Sequence, residues 1–274
     1  MRRASLVPEL VEDAVPDRLP GAVVREPLVE ATRETFLLHM PPAGRFLVRR
    51  GEPTRVQRAP GATDSDVRCF LDGPVAAAAA LVRGLVPLRA STVLVRGRAV
   101  AIAGPSGAGK SALAAALALR GHPVLADAVT PVATGSAAPT VEPHRPEPVL
   151  WPDTIAELGL DPEAGRRVRP ALTKRAFRIG TPASSPAPLA AVIFLRQDTR
   201  WPAPRTEPVM GSAKVARLLM AAWHRPLIAP LGLAPLRFPR LVGVASAGVF
   251  VELTRPHADV SPGELAALVE ELVE

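Results

Sequence analysis

A glycine-rich stretch from Gly104 to Ser111 carries the residue types that bind phosphate groups. It fills the pattern G-x-x-x-x-G-K-[S/T]. Its glycines permit backbone conformations closed to other residues, so successive N–H groups can turn towards an anion. Lys110 adds a mobile ammonium group for the outer phosphates, and Ser111 adds a hydroxyl group for Mg²⁺. The stretch therefore predicts a nucleotide phosphate site, whose binding residues are Gly104, Ser106, Gly107, Ala108, Gly109, Lys110 and Ser111.

The flanking residues supply the two elements that such a loop must connect. Ala99–Ala103 is a short apolar run of strand length. Ser111–Arg120 is rich in strong helix formers and ends at Gly121. Strand, loop and helix therefore follow one another in the order that a P-loop requires.

An acidic residue follows the loop helix at the end of the next predicted strand. Val124–Ala126 is apolar and leads directly into Asp127. Because loops at the carboxyl ends of neighbouring strands converge on the ligand crevice, Asp127 is predicted to face the phosphates. There it would bind Mg²⁺, directly or through water, or accept a proton from an attacking hydroxyl group. We therefore take Asp127 and Lys110 as candidate catalytic residues, and Ser111 and Asp127 as candidate metal ligands.

A basic cluster further along the chain offers additional cations. It comprises Gly165–Arg169 together with Lys174 and Arg175. Such a cluster is either a solvated face or a source of positive charge for a transferred phosphoryl group. Lys174 and Arg175 are the candidates for the second role, as further nucleotide-binding residues.

The remaining pattern predicts an α/β chain in two parts. Residues 1–85 combine short strand-like runs with Pro/Gly turns, which indicates a small β-rich N-terminal part with a linking helix over residues 73–83, capped by Asp72. Residues 86–274 are predicted to form the nucleotide-binding domain. Within it, residues 135–148 are expected to be irregular or a short hairpin, Leu189–Leu195 a buried strand and Ser261 the start of a C-terminal helix.

Composition excludes several classes of protein. The chain has 274 residues, with 33 basic and 26 acidic side chains, for a net charge of +7. No basic run is interleaved with aromatic residues, so no nucleic-acid surface is expected. No apolar run reaches the length of a membrane span, and no signal-peptide core follows the N-terminus. We expect a cytoplasmic protein with no membrane partner, and a homo-oligomer remains open.

Several spaced motifs follow one another along the second part of the chain: Leu88–Ser91, Gly97–Ala99, Gly104–Ser111, Arg120–Asp127, Leu150–Asp153 and Lys174–Arg175. With these motifs in this order, the chain from about Leu88 onward resembles the HPr kinase/phosphorylase-like P-loop kinases, and more closely the short relatives found with ribosomally made peptides such as lasso peptides. The resemblance implies a fold like the phosphoenolpyruvate carboxykinase nucleotide domain. It also implies ATP, Mg²⁺ and phosphoryl transfer to a serine-type hydroxyl, with a precursor peptide as acceptor.

Two positions depart from the pattern of that family. Arg89 stands where the family usually has a histidine, and Ala128 stands where it has a second aspartate. An arginine cannot act as a base at neutral pH. Loss of a general base typically costs ~10²- to 10⁴-fold, which need not abolish a transfer that depends mostly on positioning and charge stabilisation.

Three functional hypotheses follow from the sequence. The first is an ATP-dependent kinase acting on a hydroxyl of a peptide or small protein. The second is a catalytically degenerate nucleotide-binding partner, or pseudokinase, in a peptide biosynthetic complex. The third is another ATP-using tailoring reaction on the same scaffold.

Overall fold

The computed structural model of the protein describes residues 6–7, 9–135, 138–198, 200–223, 234–256 and 260–273. At residues 234–237 it describes only the backbone. This part of the chain is a mixed α/β structure with three sheets. The predicted α/β class is therefore confirmed. In the same residues, no helix combines the length and the apolar character needed to cross a membrane.

Residues 10–58 build a six-stranded sheet. Strands β2 to β6 form an antiparallel meander, and β1 pairs parallel to β6 at the edge. Alternate side chains of the central strands are buried on opposite faces, as expected for a sheet covered on both sides. The strands are β1 (Leu10–Glu12), β2 (Val24–Glu26), β3 (Val29–Ala31), β4 (Thr35–Met40), β5 (Gly44–Arg49) and β6 (Thr54–Arg58).

A helical segment connects this sheet to the rest of the chain. It consists of α1 (Asp64–Phe70), a wider π-helical turn (Leu71–Val75) and α2 (Ala76–Val82). The predicted start at Asp72 is wrong, because Thr63 caps the segment in a capping box with Asp66. Pro74 lacks the N–H group that a regular helix interior needs, and the wider turn accommodates it.

The second sheet holds the P-loop strand at its centre. Strands β9, β16 and β18 run parallel to one another, while β8 lies antiparallel to β9, and β10 antiparallel to β8. The first residues of β16 also pair with the antiparallel group β12, β11 and β7. The strands are β7 (Val86–Leu88), β8 (Ala90–Val95), β9 (Arg98–Ala103), β10 (Val124–Ala126), β11 (Thr130–Ala133), β12 (Thr140–Val141), β16 (Ala187–Gln197), β17 (Arg205–Pro208) and β18 (Val249–Arg255).

The third sheet is small, and its first strand is followed in the chain by the short helix Pro152–Glu157. It consists of β13 (Val149–Leu150), β14 (Arg166–Arg167) and β15 (Arg175–Ala176). The segment predicted as irregular or a hairpin contributes β12, which pairs with β11 from just outside that segment. Residues 136 and 137 of this segment lie outside the described part of the chain.

Helices cover both faces of the central sheet. On one face, α3 and α7 share a core with β9 and β16. On the other, α5 and α6 pack on the same strands from the opposite side. The predicted loop helix, the buried strand at residues 189–195 and the C-terminal helix that starts at Ser261 are confirmed, and Ser261 caps that helix in a capping box with Glu264. The helices are α3 (Lys110–Leu119), α4 (Pro152–Glu157), α5 (Ser212–Ala221), α6 (Ala234–Ala245) and α7 (Pro262–Leu272).

Candidate phosphate-binding and metal site

The loop between β9 and α3 takes a shape that only glycine permits at two positions. Gly104 has a φ of 154°, and a Cβ atom there would lie 2.2 Å from the carbonyl oxygen of Leu195 in β16. Gly109 has a φ of 99° and precedes the first residue of α3. The neighbouring strand therefore fixes the start of the loop, and a left-handed residue turns it into the helix.

The remaining predicted loop residues divide between core and surface. Ala108 is buried and packs into the core beneath α3. Ser106 and Gly107 are exposed at the tip of the loop. The loop is thus anchored from inside and open to solvent, which leaves its backbone accessible to an anion.

Asp127 lies at the same edge of the sheet as the P-loop. Since β10 and β9 both run antiparallel to β8, their carboxyl ends point the same way. The sequence suggested that these two strands are direct neighbours, but β8 lies between them. The Ser111 hydroxyl donates to Asp127 Oδ1 over 2.8 Å, so the structure brings the two predicted metal ligands together.

Three further donors hold the carboxylate of Asp127, which is 1% exposed. The Ser91 hydroxyl donates to Oδ1 over 2.6 Å. Arg145 Nη2 and the Val149 amide donate to Oδ2 over 2.8 and 3.1 Å. Both oxygens of Asp127 are therefore already engaged, and it can take a proton from a substrate only if one of these donors leaves.

The donor set fits a magnesium ion that is completed by phosphate and water. Mg²⁺ prefers oxygen ligands and is usually held by one or two carboxylates together with the phosphates of a nucleotide. The Ser111 hydroxyl and the Asp127 carboxylate supply such oxygens. Among the described residues, no group of three or more His, Cys, Asp or Glu side chains could hold a metal ion alone.

Lys110 folds back over its own loop. Its ammonium group donates to the Pro105 carbonyl oxygen over 2.8 Å. Burial lowers the pKa of Lys110; the charge of Asp127 opposes this effect, whereas the charges of Arg89 and Lys174 add to it. The charges of Asp127, Arg89 and Lys174 therefore all act on the ammonium group of Lys110.

The two predicted cations from the basic cluster have different surroundings. Lys174 Nζ lies 4.3 Å from the centre of the Trp151 ring, a cation–π contact close to the loop. Arg175 instead donates to the Gly165 carbonyl oxygen over 2.9 Å and to Glu163 over 2.8 Å. Arg175 therefore stabilises its own segment, and among the described residues it makes no hydrogen bond or ion pair with Lys110, Ser111 or Asp127.

Three residues at the site had no role assigned from the sequence. Ser91 and Arg145 bind Asp127, and Arg255 packs its guanidinium 3.8 Å from where a Cβ atom of Gly109 would lie. Arg255 ends β18, whose carboxyl end lies beside that of β16. No local signal in the sequence singles out these three residues, since Arg145 lies in the segment predicted to be irregular or a hairpin, and Ser91 and Arg255 match no motif of their own.

The comparisons with known proteins give no family for the chain. No family model matches it. No curated protein matches it. Among solved structures it is similar to the HPr(Ser) kinase/phosphatase from Coxiella burnetii, at 17% sequence identity and a TM-score of 0.33, over 68% of this chain and 93% of that chain. A likeness this distant carries no functional argument, so function has to be argued from the site.

Proposed function

We propose that the protein is an ATP-dependent kinase that transfers the γ-phosphoryl group to a serine-type hydroxyl of a peptide or small protein. The observation that carries this proposal is the 2.8 Å hydrogen bond between Ser111 and Asp127 at the base of the glycine-rich loop. It joins the hydroxyl and the carboxylate that a P-loop site uses to hold magnesium, and Ser111 is the residue next to Lys110 in the chain.

Each residue of the site has a role in this reaction. The loop amides and the first turn of α3 bind the phosphates of ATP, with Gly104 and Gly109 setting the loop shape. Lys110 leaves the Pro105 carbonyl oxygen and donates to the outer phosphates. Ser111 and Asp127 hold Mg²⁺, which neutralises charge on the phosphates when bound. Because four donors fill the oxygens of Asp127, it would hold Mg²⁺ through the Ser111 hydroxyl or water, or directly after one donor leaves, and the same limit applies to its use as a base.

The finer features of the proposal come from the resemblance of the motifs to HPr kinase-like proteins. They are a nucleotide domain like that of phosphoenolpyruvate carboxykinase, a precursor peptide as acceptor and a cytoplasmic location in ribosomal peptide biosynthesis. We assign Lys174, which lies beside the exposed ring of Trp151, to the nucleotide phosphates.

A second function is favoured by the surroundings of Asp127. Arg145 occupies one carboxylate oxygen, and Ala128 offers no second carboxylate. A nucleotide-binding partner that does not transfer phosphate would need no base, and it would tolerate both features. This candidate shares the nucleotide site with the kinase and differs from it only in turnover.

The two functions are separated by measuring binding and transfer in the same preparation. Binding of ATP with Mg²⁺ is followed by calorimetry, and transfer by mass analysis of serine-containing peptides, including any precursor peptide encoded beside this chain. The variants are Lys110→Ala and, as a matched lysine control, Lys214→Ala. Lys214 lies on α5, and its ammonium group is 4.7 Å from the centre of the Phe250 ring of β18.

We expect a gain of one phosphate on the acceptor with the wild-type protein. Lys110→Ala should lower the rate by about 10²- to 10³-fold, because it removes one preorganised charge on the phosphates, and Lys214→Ala should leave it unchanged. Tight ATP binding without transfer to any peptide would favour the nucleotide-binding partner. Failure of the wild-type protein to bind ATP would overturn both.

A further inference from the structure

Arg89 is an exposed arginine whose charged group is held by an aromatic ring. The carbon at the centre of its guanidinium lies 4.4 Å from the centre of the Trp223 ring. No carboxylate of the described residues pairs with it, whereas Arg145 and Arg175 both have acidic partners. Stacking covers one face of a guanidinium but leaves the N–H groups at its edge available for hydrogen bonds.

The ring that holds Arg89 is itself fixed to the backbone. Trp223 Nε1 donates to the carbonyl oxygen of Ala128 over 3.1 Å, and its amide donates to Pro87 over 3.0 Å. The Arg89 amide in turn donates to Ala221 over 2.7 Å. The residues before β8 and those after α5 are therefore paired, so that Arg89 and Trp223 are positioned together.

This pair lies at the proposed catalytic site. Ala128 follows Asp127 directly, has a φ of 65°, and accepts the hydrogen bond from the indole. Ser91, two residues after Arg89, donates to Asp127. The charge of Arg89 is among the causes that lower the pKa of Lys110, so the two cations lie close together. Arg89 is therefore linked through Trp223 and Ala128 to the strand end that carries Asp127, and its charge acts on Lys110.

We propose that Arg89 is a catalytic residue that stabilises the phosphoryl group in the transition state of transfer, and that Trp223 is the positioning residue that orients it. This inference rests on the proposed kinase function. In that reaction the bond between the γ-phosphorus and the bridging oxygen of ADP breaks, and a bond forms between the phosphorus and the acceptor oxygen. The hydroxyl proton passes to water. A fixed guanidinium donates to the equatorial oxygens of the phosphoryl group as their charge is redistributed.

The test compares binding of ADP with binding of ADP plus aluminium fluoride, which mimics the phosphoryl group in the transition state. Both are measured in the presence of Mg²⁺. The variants are Arg89→Gln, Arg89→Lys and Trp223→Leu. Arg205→Gln is the matched control, because Arg205 lies 4.4 Å from the centre of the Trp201 ring in an equivalent stack on β17. Acceptor phosphorylation is measured alongside.

We expect Arg89→Gln to bind ADP within about twofold of wild type, but to lose affinity for the aluminium fluoride complex and kcat by about 10³-fold. Trp223→Leu should show a smaller loss of the same kind. The loss in Arg89→Lys should be smaller than that in Trp223→Leu, and Arg205→Gln should show none.

Normal aluminium fluoride binding by Arg89→Gln would overturn the inference and leave the kinase function standing. An equal loss of ADP affinity would overturn it too, because Arg89 would then serve ground-state binding. If wild type gains nothing from aluminium fluoride, the inference is wrong, and if it binds no ADP the proposed function fails as well.

Discussion

At the scale of single residues, His144 is a buried neutral group beside the candidate site. Its backbone pairs with Leu125 and Asp127, and its Nε2 lies 3.1 Å from the Asp72 carbonyl oxygen. Burial lowers the pKa of His144 to about 4; the hydrogen bond to Asp72 opposes this shift, and the positive charge of Arg145 adds to it. Folding therefore keeps this imidazole uncharged through the range in which an exposed histidine takes up a proton.

This shift makes stability depend on pH in a defined direction. The unfolded chain protonates His144 near its ordinary pKa of 6.5, whereas the folded protein does so only near 4. The stability from a neutral His144 is complete above pH 6.5 and is lost as the pH falls towards 4. Between pH 7.5 and 4.5 its share of the loss is about 2 to 3 kcal/mol.

The change is measured by urea unfolding of wild type, His144→Gln and a control, His39→Gln, at both pH values. We expect the free energy of unfolding to fall less with pH in His144→Gln than in the other two, by about the amount that His144 contributes. The same pH dependence in all three proteins would show that His144 is not the group responsible.

The residues of the site differ in how far the sequence could predict them. Lys110, Ser111 and Asp127 were predicted because each follows a local pattern, a loop motif or the end of an apolar strand. Arg145 and Trp223 reach the site across 18 and 95 residues of chain, through contacts with Asp127 and Ala128. No periodicity or spacing encodes such contacts, since they depend on the packing of distant segments.

At the scale of elements, the loop helix is tied to the C-terminal helix at its far end. Arg120, which caps α3, donates to Glu270 of α7 over 2.9 and 2.6 Å. His122 Nε2 lies 2.8 Å from the same carboxylate. These contacts, with Arg120 first among them, hold the pKa of Glu270 at about 2. The two helices also share a core, so this ion pair lies at the edge of a packed interface.

Glu270→Gln should lower the free energy of unfolding by about 1 kcal/mol, since Arg120 is 44% exposed and solvent screens the pair. Glu271→Gln, which changes the charge equally at the adjacent exposed position, is the control. Urea unfolding at low and high salt measures the effect, and a double-mutant cycle with Arg120→Gln isolates the pair. A coupling energy of zero at low salt would contradict the role given to it.

Elements were predicted well where local signals agreed and less well where they conflicted. The strand, loop and helix around Lys110 each matched their own pattern, and the structure has them within one residue of the predicted bounds. Asp72 and Pro74 are residue types typical of a helix start, but here they lie inside a helical segment that begins after Thr63. The capping box at Thr63 and Asp66 was the better signal, because it satisfies two backbone groups reciprocally.

At the scale of the whole molecule, the alanine-rich helix α2 lies between the N-terminal sheet and the P-loop region. Ala78 and Ala79 share a core with the N-terminal sheet. Ala76, Ala77 and Ala80 pack with Val129, two residues after Asp127. The small alanine side chains let α2 pack closely against the N-terminal sheet on one side and against Val129 on the other. The division of the chain at residue 85 into two parts stays a prediction, and α2 is where it is tested.

If α2 couples the two parts, the protein unfolds in one calorimetric transition. Ala77→Leu should then destabilise the whole molecule by about 1 to 3 kcal/mol, because its larger side chain overpacks the contact with Val129. The midpoint should fall by roughly 2 to 4 °C for each kcal/mol without splitting, and Ala213→Leu, at an exposed position of α5, should leave it unchanged. Two transitions in the wild-type protein, of which Ala77→Leu shifts only one, would show instead that the N-terminal sheet folds by itself and that its contact with the site contributes little.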